Sequence, residues 1–242
     1  YGYSDFRNGQ KEIISKVLHG QDALAIMPTG GGKSICYQIP ALVFSGLTIV
    51  ISPLISLMKD QVDALLELGI PAAYVNSTLS TKEMNQRLRD AADGAYKLLY
   101  VAPERFQTEE IHYLMQSVQV DLIAIDEAHC ISQWGHDFRP SYLALCETLA
   151  WMVQRPTVLA LTATATPVVS EDIIKLLGIS EENCVKTGFS RKNLAFQVVK
   201  GQDRNRYLLD YLKLNDGQSG IVYASTRKEV ERIHQLLLSK GI

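Results

Sequence analysis

Lys33 and Ser34 follow three consecutive glycines, Gly30, Gly31 and Gly32, in the run MPTGGGKS. Glycines in a turn let backbone N–H groups approach a ligand closely. A helix N-terminus just beyond adds the positive end of its dipole, and the combination suits phosphate oxygens. A lysine at Lys33 would reach the outer phosphates, and the Ser34 hydroxyl would ligate Mg²⁺. The run departs from the strict G-x-x-x-x-G-K-[ST] pattern, since Met27 stands where its first glycine would be. Two adjacent carboxylates, Asp126 and Glu127, open a second run, DEAHCISQWGHDFRP. Beside a phosphate loop, Asp126 suits an ion, held through water, and Glu127 suits the polarisation of an attacking water. Together the two runs point to hydrolysis of a nucleoside triphosphate.

The elements that must position these residues can be read from short apolar runs: 23–27, 47–51, 72–75, 97–101, 121–125 and 157–161. Amphipathic stretches of helical length separate them, among them Lys11–Leu18, Leu54–Leu68 and Lys82–Ala92. Strand and helix in alternation give an α/β fold, a parallel sheet covered by helices on both faces. Apolar runs without strict alternation fit strands buried on both sides. Both chemical runs then fall where strands end, at the carboxyl edge where ligands of such folds bind. Pro40 lies within the helix expected after Ser34 and predicts a kink or an early end. A second unit is expected to open near 187–199, with a helix at 206–214, a strand at 220–225 and a helix at 227–241. That is too little for an independent α/β domain.

The 242 residues are 47% hydrophobic and 21% charged, as in ordinary globular chains. A net charge of −2 means that any nucleic-acid contact must come from local clusters of Lys and Arg. Cys36, Cys130, Cys146 and Cys184 lie far apart. Their spacing suggests neither a zinc site nor a disulfide framework, and scattered thiols suit a reducing compartment. The longest apolar run, LTIVISPLISLM, is too short for a bilayer span, so no membrane partner is expected. No signal peptide is visible, and with Tyr1 first and a helix-like stretch just before Ile242 the chain looks cut at both ends.

The runs FRNGQ, MPTGGGKS, SPLISLMKDQV, PERF, DEAHCISQWGHDFRP, LTATAT and IVYASTR occur in the order found in RecQ-type DNA helicases of superfamily 2, which the chain resembles along nearly its whole length. The resemblance implies a RecA-like lobe over 1–188 and the beginning of a second, truncated RecA-like lobe over 189–242. It implies ATP and Mg²⁺, with no zinc in this stretch, and 3′-to-5′ movement on single-stranded DNA with unwinding at duplex junctions, in repair and recombination. Tyr3, Arg7 and Gln10 resemble the family's adenine-recognition segment, and Thr29 through Ser34 its phosphate contacts. An amide such as that of Gln10 offers both donor and acceptor, matching adenine's edge.

His129, Gln133, Trp134, His136, Phe138 and Arg139 resemble the family's aromatic-rich, DNA-sensing loop. Stacking on an aromatic ring tolerates any base. Thr162 and Thr164 resemble the motif that couples hydrolysis to lobe movement. Arg105, Ser52, Ser56, Lys59, Gln61, Ser225, Thr226 and Arg227 resemble its nucleic-acid backbone and phosphate contacts. The family's later motifs do not follow Ile242, so the resemblance implies a chain that binds ATP and hydrolyses it weakly, in a parent with zinc-binding and winged-helix domains. The implied location is the cytoplasm, or the nucleus in a eukaryote. Two other readings stay open: an RNA helicase of the same superfamily, and a nucleotide-gated module that clamps nucleic acid without turnover.

Overall fold

The computed structural model describes residues 1–152, 154–188 and 194–242. The chain divides into two compact units, Tyr1–Ser190 and Arg191–Ile242. The boundary expected at 188/189 falls against 189–193, outside the described residues.

Among the described residues the first unit is built on seven parallel strands: β1 (Ala23–Ile26), β2 (Leu47–Ile51), β3 (Ala72–Val75), β4 (Leu98–Val101), β5 (Val120–Ile125), β6 (Thr157–Thr162) and β7 (Cys184–Lys186). Their order across the sheet is β3-β4-β2-β5-β6-β1-β7. The helices that alternate with them are α1 (Gln10–Leu18), α2 (Ile35–Val43), α3 (Ile55–Glu67), α4 (Thr81–Ala92), α5 (Pro103–Phe106), α6 (Glu109–Ser117), α7 (Pro140–Trp151) and α8 (Pro167–Leu177). A 3₁₀ turn, Ala128–Ile131, follows β5 directly. No helix among the described residues is long and apolar enough to cross a membrane.

Successive strand side chains point to opposite faces, so each strand feeds two cores. Leu24, Ile49, Ile51, Ile123 and Ile125 pack with Met84 and Leu88 of α4, Ile111 of α6, Leu145 of α7 and Ile173 of α8. Ala23, Ala25, Val50, Ala124 and Leu161 pack on the other face with Ile13 of α1, Tyr37 of α2, and Met58 and Val62 of α3. This two-sided burial explains why the strands read as continuous apolar runs.

Helix α2 runs through Pro40 to Val43, three residues beyond the proline, so the helix does not stop there. Pro40 still accepts from the Phe44 amide at 2.9 Å. Strand β7 has no counterpart among the expected runs: it is three residues long and pairs with β1.

The second unit contains α9 (Arg204–Leu214) and α10 (Arg227–Leu238). Asp203 caps the first by accepting from the Arg206 amide, and Thr226 caps the second by accepting from the Glu229 amide. Neither helix has a buried residue. The strand expected at 220–225 does not form. Ile221 and Tyr223 are 80% and 88% exposed, and a strand without a hydrogen-bonded neighbour has nothing to hold its backbone groups.

Candidate nucleotide and nucleic-acid site

The sheet order decides what can meet at the carboxyl edge. Strand β6 lies between β1 and β5, pairing in parallel with both. The phosphate loop leaves β1, the acidic pair leaves β5, and Thr162 ends the strand between them. Three segments far apart in sequence thus share one edge.

Met27 is buried and its amide donates to the Thr162 carbonyl at 3.0 Å, so the position where a loop glycine would stand is a continuation of β1. The turn begins only at Thr29. Gly30 and Gly32 take φ of +77° and +81°, in the left-handed region that favours glycine. A Cβ on Gly32 would also lie 2.3 Å from Gln10 Nε2. Among the described residues, the amides of Gly32, Lys33 and Ser34 find no acceptor, as expected of consecutive donors at the start of α2. Lys33 has no ion pair among the described residues. This cradle of free amides, a half-buried cation and a hydroxyl fits a polyphosphate.

Arg7 and Gln10 hold that cradle from outside. Arg7 donates through Nη1 to the Gly30 carbonyl. Gln10 Nε2 donates to the Gly32 carbonyl at 2.9 Å, while Gln10 Oε1 accepts from the Arg7 amide at 2.8 Å. The Gln10 amide is therefore engaged on the loop backbone, and an adenine would share it. Tyr3 is exposed, with the Arg7 guanidinium 6.0 Å from its ring centre. A cavity of about 310 Å³ lies alongside, lined by Tyr1, Tyr3, Phe6, Gln10, Ile35 and Ile39, a size and an aromatic lining that suit a base.

Asp126 follows β5, its amide bonded to the Ile51 carbonyl at 2.9 Å. Desolvation and the neighbouring Glu127 charge push its carboxyl up to about 6, with Lys33 opposing. A carboxylate destabilised in this way is suited to a divalent cation, which would offset both effects. Glu127 is the one non-glycine residue with positive φ among the described residues, at +49°. Such a backbone is sparsely populated and, at a strand end beside a ligand cradle, marks a site held by its surroundings. A hydrogen bond to His129, aided by the charge of Lys33, holds the Glu127 carboxyl below the usual range.

His129 is buried and joins the segments: Nδ1 lies 3.2 Å from Glu127 Oε2 and 3.0 Å from Thr162 Oγ1. Thr162 Oγ1 in turn donates to the Thr164 carbonyl at 3.1 Å and accepts from the Thr164 amide at 3.2 Å. The His136 ring stacks on His129, with centres 4.4 Å apart and planes 15° from parallel. Tyr142 of α7, absent from the sequence-based set, donates its hydroxyl to the Asp126 carbonyl at 2.9 Å. Nothing in the spacing marks it, because the contact depends on how α7 packs.

The run from Gln133 to Arg139 forms a loop pinned at its base. The Gly135 amide bonds the Ser132 carbonyl at 2.9 Å and the Arg139 amide bonds the Cys130 carbonyl at 3.0 Å. A Cβ on Gly135 would lie 2.4 Å from the His129 carbonyl, so only glycine allows this close turn. Trp134 is 76% exposed, Gln133 and His136 are exposed, and Phe138 and Arg139 are half-buried. A core role for Trp134 is excluded by that exposure. Arg139 pairs with Asp137 at 2.9 Å.

Arg105 is half-buried on α5 after β4, on the same edge but across β2 from the acidic pair. Ser56 and Lys59 are exposed on α3. Ser52, in contrast, is buried with no partner for its hydroxyl among the described residues, and Gln61 accepts from Gln38 Nε2 at 3.1 Å. In this arrangement Ser52 does not present a surface contact.

Residues 7–173 match the family described as DEAD/DEAH box helicase. A Bacillus subtilis protein named ATP-dependent DNA helicase RecQ is 57% identical over 238 residues, covering 98% of this chain and 40% of the relative. The Pasteurella multocida protein of the same name is 46% identical over 242 residues, covering 100% of this chain and 38% of the relative. The chain thus spans about 40% of the length of the curated relatives it matches. A solved structure titled DUF1998 helicase MrfA superposes with a TM-score of 0.71 at 20% identity, over 99% of this chain and 40% of that one, a likeness of fold.

Proposed function

The chain belongs to the DEAD/DEAH box helicases, within their RecQ group, and from that premise we propose that it is the ATP-hydrolysing part of a DNA helicase that moves 3′-to-5′ along single-stranded DNA, opens duplex junctions and serves repair or recombination. The observation that carries the reading is the chain of contacts from Glu127 through His129 to Thr162 on one side and His136 on the other. It links a hydrolytic centre to an exposed aromatic loop.

In this reading the free amides of Gly32, Lys33 and Ser34 orient the phosphates, and the Lys33 charge offsets the negative charge that grows on them. Ser34 and Asp126 would hold Mg²⁺, which neutralises phosphate charge when bound. Glu127, kept ionised by His129, orients the attacking water and accepts its proton. Arg7 and Gln10 keep the loop in its binding shape, with Tyr3 beside the base. Trp134 and Phe138 stack on bases, and Arg139 meets a phosphate. Stacking that shifts His136 alters the ring against His129 and so the orientation of Glu127. Arg105, Ser56 and Lys59 extend the DNA track along the same edge, and Ser225, Thr226 and Arg227 are the second unit's own phosphate contacts. By itself the chain binds ATP and turns it over slowly.

The test is phosphate release by this chain with ATP and Mg²⁺, alone, with single-stranded DNA and with RNA of the same length. Stimulation by DNA above that by RNA is expected. Equal stimulation by both would replace the DNA reading with the RNA-helicase one. Nucleotide-dependent DNA binding without any release would leave only a clamp.

A further inference from the structure

We propose that His129, Cys130 and Asp137 form a binding site for a divalent cation of the zinc class, one that fastens the aromatic loop to the turn after β5. A ring nitrogen of His129, the Sγ of Cys130 and a carboxylate oxygen of Asp137 all lie within 4.8 Å of one another. Ligands on one tetrahedral ion, with bonds of about 2.0–2.3 Å, sit about 3.3–3.8 Å apart. Cys130 Sγ and Asp137 Oδ2 are already 3.7 Å apart. The remaining separations, 4.8 Å at the widest, close by about 1.5 Å at most on that geometry.

The surroundings favour the same use. His129 Nδ1 faces Thr162 Oγ1 and Glu127 Oε2. Partners on one ring nitrogen fix the imidazole and leave the other for an ion. The Arg139 amide bond to the Cys130 carbonyl folds the loop back, which brings Asp137 over Cys130 although seven residues separate them. A thiolate, an imidazole and one carboxylate suit zinc, cobalt or cadmium; magnesium and calcium prefer oxygen alone. Cys130 and His129 are buried while Asp137 is exposed, so the fourth position opens toward solvent. The ion replaces the thiol proton of Cys130, which leaves to solvent, and competes with Arg139 for Asp137.

The site was invisible to cysteine spacing, which looks for paired cysteines. Ion binding stands apart from the helicase reading; its effect on turnover rests on that reading, because the ion holds His129 and fixes the loop.

Cobalt is the probe. Titration of the chain with Co²⁺ alone, followed by absorption, is expected to give a thiolate-to-cobalt charge-transfer band that saturates at one equivalent and is bleached by Zn²⁺. Cys130→Ala is expected to remove the band, and Asp137→Asn, at an exposed position, to weaken binding by about tenfold or more. A band that survives Cys130→Ala with the circular dichroism unchanged would assign it to Cys36, Cys146 or Cys184 and overturn the proposal. So would the absence of any band, or unchanged affinity in Asp137→Asn. Zn²⁺ is further expected to lower phosphate release in the unsubstituted chain and to do so less in Asp137→Asn. A Cys130-dependent band in a chain with no phosphate release would sink the hydrolysis reading and leave the metal site standing. Release without a band would do the reverse.

Discussion

The phosphate loop and the aromatic loop leave the same sheet edge, yet they are made of different material. The first is backbone: left-handed glycines, amides without acceptors among the described residues, and carbonyls held by Arg7 and Gln10. The second is side chain: Trp134, Gln133 and His136 stand exposed on a loop pinned at its base. A backbone cradle recognises what every nucleoside triphosphate shares, its phosphates, and tolerates little change in shape. A side-chain surface suits, on the proposed reading, what every single strand shares, its base faces, and tolerates a good deal. His129, touching Glu127 and stacked on His136, ties the aromatic loop to the acidic pair on that edge. On the proposed reading, rigidity is concentrated where charge must be placed, and exposure where a nucleic acid would pass.

The most severe way to break the comparison is on the backbone side. Lys33→Ala is expected to lower phosphate release by about 10²–10³-fold, the usual loss when one preorganised charge-stabilising donor is removed. Steady-state phosphate release measures this, and a change below tenfold would take Lys33 out of the centre. A milder cut falls on the other loop. Trp134→Ala is expected to cost about 1–3 kcal/mol of affinity for single-stranded DNA while leaving nucleotide affinity unchanged. Parallel titrations with fluorescent DNA and fluorescent nucleotide would separate the two regions. Equal loss of both would mean that they are one surface.

The smallest effect concerns the cost of keeping a carboxylate in the acidic pair beside the two loops. The folded Asp126 carboxyl is raised to about 6 from an ordinary 3.8. Its unfolded form therefore ionises first as pH rises, and the native state is disfavoured above the unfolded value. Asp126→Asn is then expected to stabilise the ion-free chain at pH 7 by on the order of 1–2 kcal/mol, the gap closing as pH falls through 6 toward 4. Urea unfolding at pH 7 and pH 4 checks both the sign and the window. A variant less stable than the parent at pH 7 would mean that Asp126 is a structural partner.

Much of the sheet was legible because its strands are buried on both faces. Runs such as LTIVI and DLIAI stand out without a partner in view. Strand β7 was not legible: Cys184 and Lys186 flank its one buried residue, Val185, and β1 alone supplies its pairing. The opposite error came from GIVYAS, whose composition suits a strand but which has no neighbour to pair with among the described residues. Composition proposes a strand, and only neighbours make one.

In the candidate site, the residue types of the phosphate loop and the acidic pair carried their own chemistry. Partnerships did not. Thr162 meets His129 across 33 positions, and Gln10 reaches Gly32 across 22. No local pattern encodes such pairs, since they follow from strand order. The same holds for Cys130 and Asp137, close only because the loop doubles back.

Strand order has one more consequence, in time. Among the described residues β1 pairs only with β6 and β7, both made after residue 156. A chain growing from its N-terminus therefore carries the phosphate loop early but has no neighbour for the strand that bears it until late. Strands β2 to β5 pair among themselves in the meantime. The oldest segment of the site is thus among the last to acquire its shape, and a nascent chain stopped before Thr157 would hold the loop's residues without a nucleotide cradle.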